Sequence, residues 1–398
     1  MNTVGIYVHI PFCASRCKYC DFCSTADRKD LIPPYRDALL KHIRESAGGI
    51  AQSVCDTVYF GGGTPSWFGA KNLIRVFEEM KRRFRVLKTA EVTLEANPDS
   101  VDLRSLKRLR AAGFNRISIG AQSANDAILK FIGRRHRFED VVRAVSEARK
   151  AGFENVSLDL IYGLPAQTRD DWVDTLTRVI ELEPDHISCY GLKIEQGTPL
   201  WEYRDSPMIP DDDLQADMYL YAVHTLAAHD YAQYEISNFC RPGMASKHNL
   251  KYWTLGDYLG IGASAASNIG DRRYTCVDDV EEYIRRVNSG EALCGPVEIV
   301  DQYERASEYL MLGLRTTYGI SEEEYEAIYR GGFGTLEELL KDYAARGLAR
   351  YRDGRWSFTP PGFLLSNRLI GELLDAQTEC KFHIGTPWRE KDYFSTLF

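Results

Sequence analysis

Four cysteines, Cys13, Cys17, Cys20 and Cys23, fall within eleven residues of one another near the start of the chain. The opening, MNTVGIYVHIPF, lacks the basic n-region of a secretory signal, so the chain is expected to stay in the cytoplasm. In a reducing compartment such crowding points to metal or redox chemistry rather than to disulfides. Cys13, Cys17 and Cys20 follow a Cys-x3-Cys-x2-Cys spacing directly after an apolar run. Three thiolates on one loop can hold three irons of a 4Fe-4S cubane and leave the fourth iron open to an outside chelator, as a catalytic zinc keeps an open position. Two alternatives stand beside this. Cys23 can close the cluster and make a plain electron carrier, although the ferredoxin spacing Cys-x2-Cys-x2-Cys is absent. Zinc is the other, but no second Cys or Cys/His pair with the usual ligand spacing follows.

The elements that position this loop are legible as short apolar or alternating runs: VGIYVHI from Val4, DTVYF from Asp56, EVTLEA from Glu91, RISIGA from Arg116, NVSLDLIYG from Asn155 and HISCYGLKI from His186. They read as six strands. After each comes an amphipathic stretch of helical length: Tyr35 to Ala47, Asn72 to Phe84, Leu103 to Ala112, Phe138 to Ala151, Asp170 to Leu182 and Leu214 to His229. Strand-helix alternation implies parallel strands with right-handed crossovers. Six units fall short of the eight that close a TIM barrel, so the expected fold is α/β, an open, partial (β/α)6 TIM-like barrel. Polar and glycine-rich residues gather just after the strands: Cys13, the GGGTP run, Glu95 and Asn97, Gln122, and Asp159. In barrels that end holds the active site.

The rest of the chain changes character. A barrel over residues 1–235 gives way to a connecting segment over 236–296, rich in glycine and aromatics, containing HNLKYW and GDYLGIGASAAS and expected near the barrel mouth. Residues 297–376 read as a C-terminal helical, winged-helix-like module. Its helices run from Tyr303 to Leu314, Ser321 to Tyr329, Leu336 to Arg346 and Gly362 to Leu374, with a hairpin turn at Asp353-Gly354; a tail follows over 377–398. DNA binding is the obvious reading of such a module, but it carries 9 basic and 13 acidic residues between Asp301 and Asp375, and a DNA reader needs a basic face. The whole chain, 398 residues with a net charge of -8, likewise disfavours nucleic acid and anionic membranes. No stretch approaches the eighteen or so apolar residues of a membrane span.

The loop CASRCKYC, together with GGGTPS, SIGAQS and NVSLDLIYGLP in that order, resembles the radical S-adenosylmethionine (SAM) superfamily. Within it the chain resembles the branch of oxygen-independent coproporphyrinogen III dehydrogenases and HemW-type haem chaperones, from about Val4 to Leu374. The resemblance implies a 4Fe-4S cluster on Cys13, Cys17 and Cys20, with SAM chelating the open iron. It places SAM contacts on Tyr7 and Tyr19, on Gly62, Gly63 and Thr64 at the methionine end, and on Glu95, Gln122, Arg134 and Asp159. Each has a plainer reading. GGGTPS can be a tight strand-helix turn, Glu95 or Asp159 a solvated acid or helix cap, and Arg134, within GRRHR, part of a solvated charge run. Because the cysteines lie elsewhere in sequence, Gly63→Val is expected to block SAM while sparing the cluster.

Three departures separate the two activities of the branch. The dehydrogenases carry a longer arm ahead of the cysteine loop, where twelve residues precede Cys13 here. They have a fourth cysteine two positions after the third, where this chain has Phe22. The motif H-N-x-x-Y-W, here His248, Asn249, Tyr252 and Trp253, marks the chaperone branch. The resemblance therefore implies a haem chaperone that passes haem to an acceptor protein, with an electron donor for its cluster; coproporphyrinogen III decarboxylation is the alternative. His248 is a candidate haem ligand, with Tyr252 and Trp253 packing on the macrocycle. The alternative is that His248 and Asn249 make a local hydrogen-bonded turn while Tyr252 and Trp253 pack on the barrel. Many relatives have a further histidine where GIGASAAS has Ala266. Cys55, Cys189, Cys240, Cys276, Cys294 and Cys380 show no partner spacing and read as isolated thiols.

Overall fold

The computed structural model describes residues 2–50 and 52–383. The six alternating runs form β1 (Thr3–Ile10), β2 (Val54–Gly62), β3 (Val86–Ala96), β4 (Arg116–Gln122), β5 (Asn155–Tyr162) and β6 (His186–Gly191). They pair in parallel and in chain order. A helix crosses over between successive strands, for example Ala70–Arg83 and Phe138–Ala151. Local sequence sets these helix ends. Leu103–Ala112 begins at Asp102, whose carboxylate accepts from the Ser105 amide, and stops at Gly113, which takes the left-handed φ of 116° that its missing Cβ permits.

The two-residue period of a strand sorts the side chains. Ile6, Val8, Phe60, Leu94, Ile117 and Leu158 are fully buried, the apolar set that packs under the helices. The alternate residues point into the barrel and are largely polar, and register aligns them: Tyr7 beside Tyr59, Glu95 beside Ser118, Asp159 beside Ser188. The barrel interior is thus a polar chamber lined by strand residues, not a packed apolar core.

Residues 236–296, expected as a connector near the mouth, instead extend the sheet at both edges. Strand β7 (Asn238–Cys240) pairs antiparallel with β6, and β8 (Tyr258–Ile261) pairs in parallel with β1. Two more antiparallel strands, β9 (Ala266–Ile269) and β10 (Arg272–Thr275), follow outward. β8 is only four residues long, contains glycine, and finds its partner some 250 positions earlier, so no local period reveals it.

One compact unit ends at Val300 and a second begins at Asp301. The second holds helices Gln302–Gly313, Glu322–Ile328 and Phe333–Ala345. Ala349–Arg352 then pairs antiparallel with Arg355–Phe358 through Asp353 and Gly354, both left-handed, as the hairpin turn requires. The following helical stretch is split into Pro360–Leu364 and Ser366–His383. The side chain of Cys380 and most of the tail expected over 377–398 lie outside the described residues. Among the described residues no helix is long and apolar enough to cross a membrane.

Candidate functional site

The cysteine loop leaves the end of β1 and is anchored on three sides. Phe12–Cys13 pairs with Thr25–Ala26, which closes the loop on itself. The Lys18 amide donates to the Ile132 carbonyl at 3.0 Å, and the Lys18 carbonyl accepts from the Leu200 amide at 2.9 Å. A polar chain then links two of the thiols. Cys13 Sγ lies 3.4 Å from Thr64 Oγ1, Asn97 Nδ2 donates to Thr64 Oγ1 at 3.2 Å, Arg134 Nη2 donates to Asn97 Oδ1 at 2.7 Å, and Arg134 Nη1 reaches Cys17 Sγ at 3.8 Å. Arg134 is therefore a partly buried cation held beside the thiols by its own hydrogen bonds, not part of a solvated run. Burial pushes the Cys13 and Cys20 thiols up, and Cys17 raises both further as a close neighbour.

Cys23 stands apart. Its thiol donates to the Asp278 carbonyl at 3.0 Å, and the charges that act on it are those of Asp278, Asp279 and Arg16. Among the described residues no three Cys, His, Asp or Glu side chains converge as a single ion requires. A cubane takes one thiolate on each of three separate irons and so asks for a spread set.

Cys13, Cys17 and Cys20 line a cavity of about 460 Å³ at the C-terminal ends of the strands. Tyr19, Gly62, Gly63, Thr64, Glu95, Gln122, Arg134 and Asp159 line it too, so eight of the ten expected cofactor contacts are brought together with the three expected metal ligands. Glu95 accepts from Tyr59 Oη at 2.7 Å and from the Gly62 amide at 3.1 Å; burial, with Asp159 nearby, pushes its carboxyl up to about 7. Asp159 accepts from Ser118 and Ser188 at 3.0 and 2.8 Å, and burial raises its carboxyl against that support. Gln122 sits at a break in the β4–β5 register and has φ 65°, a conformation uncommon outside glycine, which re-aims the chain at the cavity rim.

Two expected contacts lie elsewhere. Tyr7 faces a neighbouring cavity of about 340 Å³, lined also by His9, Cys23, Tyr252, Tyr258 and Ser264; Phe22, Gly62 and Glu95 border both spaces. Its hydroxyl contacts His9 Nδ1 at 3.1 Å. His248 reaches neither cavity. It is 0% exposed, with Nδ1 2.8 Å from Thr57 Oγ1 and Nε2 2.9 Å from Tyr252 Oη. Both ring nitrogens are committed, one of them to Thr57 on β2, so His248 is not presented to a cavity as expected, and its bonds reach farther than the local turn of the alternative reading. The short helix Lys247–Trp253 takes the Glu91 carboxylate at its first amides, ties Lys251 to Asp56 at 2.9 Å, and offers Asn249 to the main cavity. HNLKYW thereby plugs the barrel beneath the site.

The glycine run also differs from expectation. A Cβ on Gly63 would lie 2.9 Å from the Pro11 carbonyl carbon and 3.0 Å from Cys13 Sγ, and one on Gly62 would lie within 2.7 Å of the His9 ring. These glycines make room for the cysteine loop itself. Gly63→Val is accordingly expected to displace Cys13 and cut cluster occupancy several-fold. Iron analysis after anaerobic reconstitution checks this; full iron content with SAM binding lost would restore the earlier expectation.

Sequence reasoning passed over Arg116. It is 2% exposed, lines the main cavity, and its Nε and Nη1 make no hydrogen bond. Arg134 Nε is likewise buried and unmatched. Unpaired N–H groups of buried cations are costly, so a ligand or water with acceptor atoms fits this floor. The signal was available, because the two-residue period of RISIGA puts Arg116 on the face of Ser118 and Gly120. Partly buried carboxylates, orphaned guanidinium donors and a cavity within the range of small-ligand sites together fit a molecule bearing both hydroxyl or amine and carboxylate groups, as SAM does.

Comparison with known proteins agrees with this chemistry. The Radical SAM superfamily profile matches residues 7–179 and that of the HemN C-terminal domain residues 300–365. The chain is 35% identical to the heme chaperone HemW of Bacillus subtilis, over 92% of this chain and 98% of that one. It is 34% identical to the heme chaperone HemW of Mycobacterium tuberculosis, over 93% and 94% respectively. Among solved structures, the coproporphyrinogen III oxidase HemN of Escherichia coli, described as a radical SAM enzyme, superposes with a TM-score of 0.81 at 26% identity, covering 94% of this chain and 90% of that one.

Proposed function

The chain belongs to the HemW family of the radical SAM superfamily, and from that premise we infer that it is a haem chaperone, which binds haem, keeps a SAM-chelated 4Fe-4S cluster, and hands haem to an acceptor protein. The observation that carries this reading is the near full-length kinship with HemW, joined to a cavity in which three thiols meet carboxylates and arginines. Cys13, Cys17 and Cys20 would hold three irons. Held there and reduced, such a cluster would supply the one-electron chemistry toward a SAM sulfonium that the superfamily resemblance implies.

The chain's own residues have definable tasks. Arg134, fixed by Asn97 and by the Gly120 carbonyl at 2.6 Å, keeps a positive charge against the cysteine loop. Asp159, with its serine donors, presents a fixed acceptor. Arg116 offers the donors that no protein group satisfies. Glu95, with its carboxyl pushed up to about 7, can accept or release a proton near neutral pH. Sequestration of this site by the HNLKYW helix keeps bulk water from its floor.

The structural kinship with HemN favours coproporphyrinogen III decarboxylation as the second reading. Two incubations separate them. The cluster-loaded chain is expected to take up haem stoichiometrically and pass it to a haem-free acceptor. With SAM, a reductant and coproporphyrinogen III it is expected to release no protoporphyrinogen IX. Sustained formation of protoporphyrinogen IX without stable haem uptake would overturn the chaperone reading.

A further inference from the structure

Cys276 and Cys294, read from sequence as isolated thiols, face each other across an antiparallel bridge with their sulfurs 3.4 Å apart. The Val277 amide donates to the Leu293 carbonyl at 3.0 Å and the Gly295 amide to the Thr275 carbonyl at 3.1 Å. These flanking bonds make Cys276 and Cys294 a non-hydrogen-bonded pair, the position where opposing Cα atoms approach to about 4.5 Å and side chains lie closest. That separation falls within the window a disulfide spans, and closure needs the sulfurs to move by roughly 1.3 Å, a rotamer adjustment rather than a backbone shift. Cys276 is 3% exposed, whereas Cys294 is half-buried and open to solvent. The two sulfurs lie within hydrogen-bond distance with either able to donate, and this contact lowers the Cys294 thiol against the burial that raises it. The outer thiol is thus the better nucleophile and the inner one is placed to resolve.

We propose that Cys294 and Cys276 form a thiol–disulfide exchange site whose co-substrate is a low-molecular-weight disulfide such as glutathione disulfide. The Cys294 thiolate attacks one sulfur of that disulfide; its S–S bond breaks and one thiolate leaves with the electron pair and takes up a proton. Cys276, losing its proton to solvent, then attacks the Cys294 sulfur of the mixed disulfide and expels the second thiolate, which is protonated in turn. Two protein thiols are oxidised to one disulfide, and one small disulfide is reduced to two thiols.

The bridge lies against the second cavity. Ser264, on its wall, donates its amide to the Val277 carbonyl at 2.8 Å, the Cys276 amide donates to Ala265 at 3.0 Å, and the Cys23 thiol rests on the Asp278 carbonyl. Closing the pair fixes the strand on which those contacts depend. It also ties together the two ends of helix Val280–Ser289, whose Tyr283 contacts His42 at 2.9 Å.

The test uses the full, cluster-loaded chain, equilibrated anaerobically across ratios of oxidised to reduced glutathione, alkylated and mapped by mass spectrometry. The expected result is loss of two alkylatable thiols and two hydrogens in a linked pair of peptides holding Cys276 and Cys294, reversed by excess reduced glutathione. Cys276→Ser should instead retain one glutathione on Cys294, and Cys294→Ser should retain none at Cys276. If the intact chain holds glutathione on Cys294 while Cys276 stays free, or if neither thiol reacts before Cys55 or Cys189, both fully enclosed, the exchange site does not exist. Linkage of either residue to Cys23 would equally overturn the pairing.

Discussion

Cys17→Ser, reconstituted anaerobically with iron and sulfide, is expected to retain less than roughly a tenth of the iron of the unaltered chain, whereas Cys23→Ser is expected to retain nearly all of it. The contrast follows from where the four thiols point. Cys13, Cys17 and Cys20 line one cavity, and burial together with mutual repulsion raises the Cys13 and Cys20 thiols. A cluster relieves that repulsion by binding all three as thiolates. Arg134, 3.8 Å from Cys17 Sγ, adds a neighbouring cation. Cys23 lines the other cavity and donates to a backbone carbonyl, so bringing it to the cluster requires breaking that bond and turning the loop. Iron content and the visible absorbance of the cluster read the result. Equal loss in the two variants would mean that Cys23 completes the ligand set and that no iron is open to SAM.

The same geometry explains why the cysteine loop was legible while some of its surroundings were not. Spacing within one loop is local, and so are the strand periods: all six barrel strands lie where alternation placed them, although β3 begins at Val86, five residues before the run at Glu91. Eight of the cofactor contacts that the motif resemblance implied share a cavity because they lie at or just after the ends of successive strands of one sheet. Non-local pairings were hidden. β8 inserts beside β1 across most of the chain, and nothing in YLGI announces that choice. Arg116 opens the RISIGA run, and the groups whose charges act on it, Glu91, Tyr59 and Tyr234, belong to other elements. Tyr7 shares a strand face with the site, yet the path of the cysteine loop puts Phe22 between its cavity and the main one. Cys276 and Cys294 are eighteen positions apart, with a helix between them, and only the fold makes them neighbours.

His248→Ala is expected to destabilise the chain by about 3–5 kcal/mol while leaving the absorption spectrum of the haem-loaded protein unchanged. The magnitude combines a lost ring with two hydroxyls that lose a partner. His248 packs at 5.2 Å from the ring centroids of both Tyr59 and Tyr252, and its removal takes a hydrogen-bond partner from Thr57 in the buried interior and from Tyr252 at the wall of the second cavity. Its titration gives an independent mark. Burial, helped by the charges of Lys251 and Arg116, pushes its pKa down to about 3 in the fold, against about 6.5 unfolded. A histidine depressed in this way contributes stability that is fully present above pH 6.5 and is lost as pH falls toward 3, because the unfolded chain then binds the proton that the folded one refuses. Between pH 7 and pH 5 this single group should withdraw about 2 kcal/mol, and the alanine variant should lack that part of the slope. His42 and His136, both pushed down to about 4, are present in both proteins and cancel in the difference. Urea unfolding at the two pH values measures the shift, and spectroscopy of the haem-loaded variant measures the ligation. A variant that keeps its unfolding midpoint at both pH values but changes its haem spectrum would return His248 to the iron, and would require the HNLKYW helix to leave the barrel floor when haem binds.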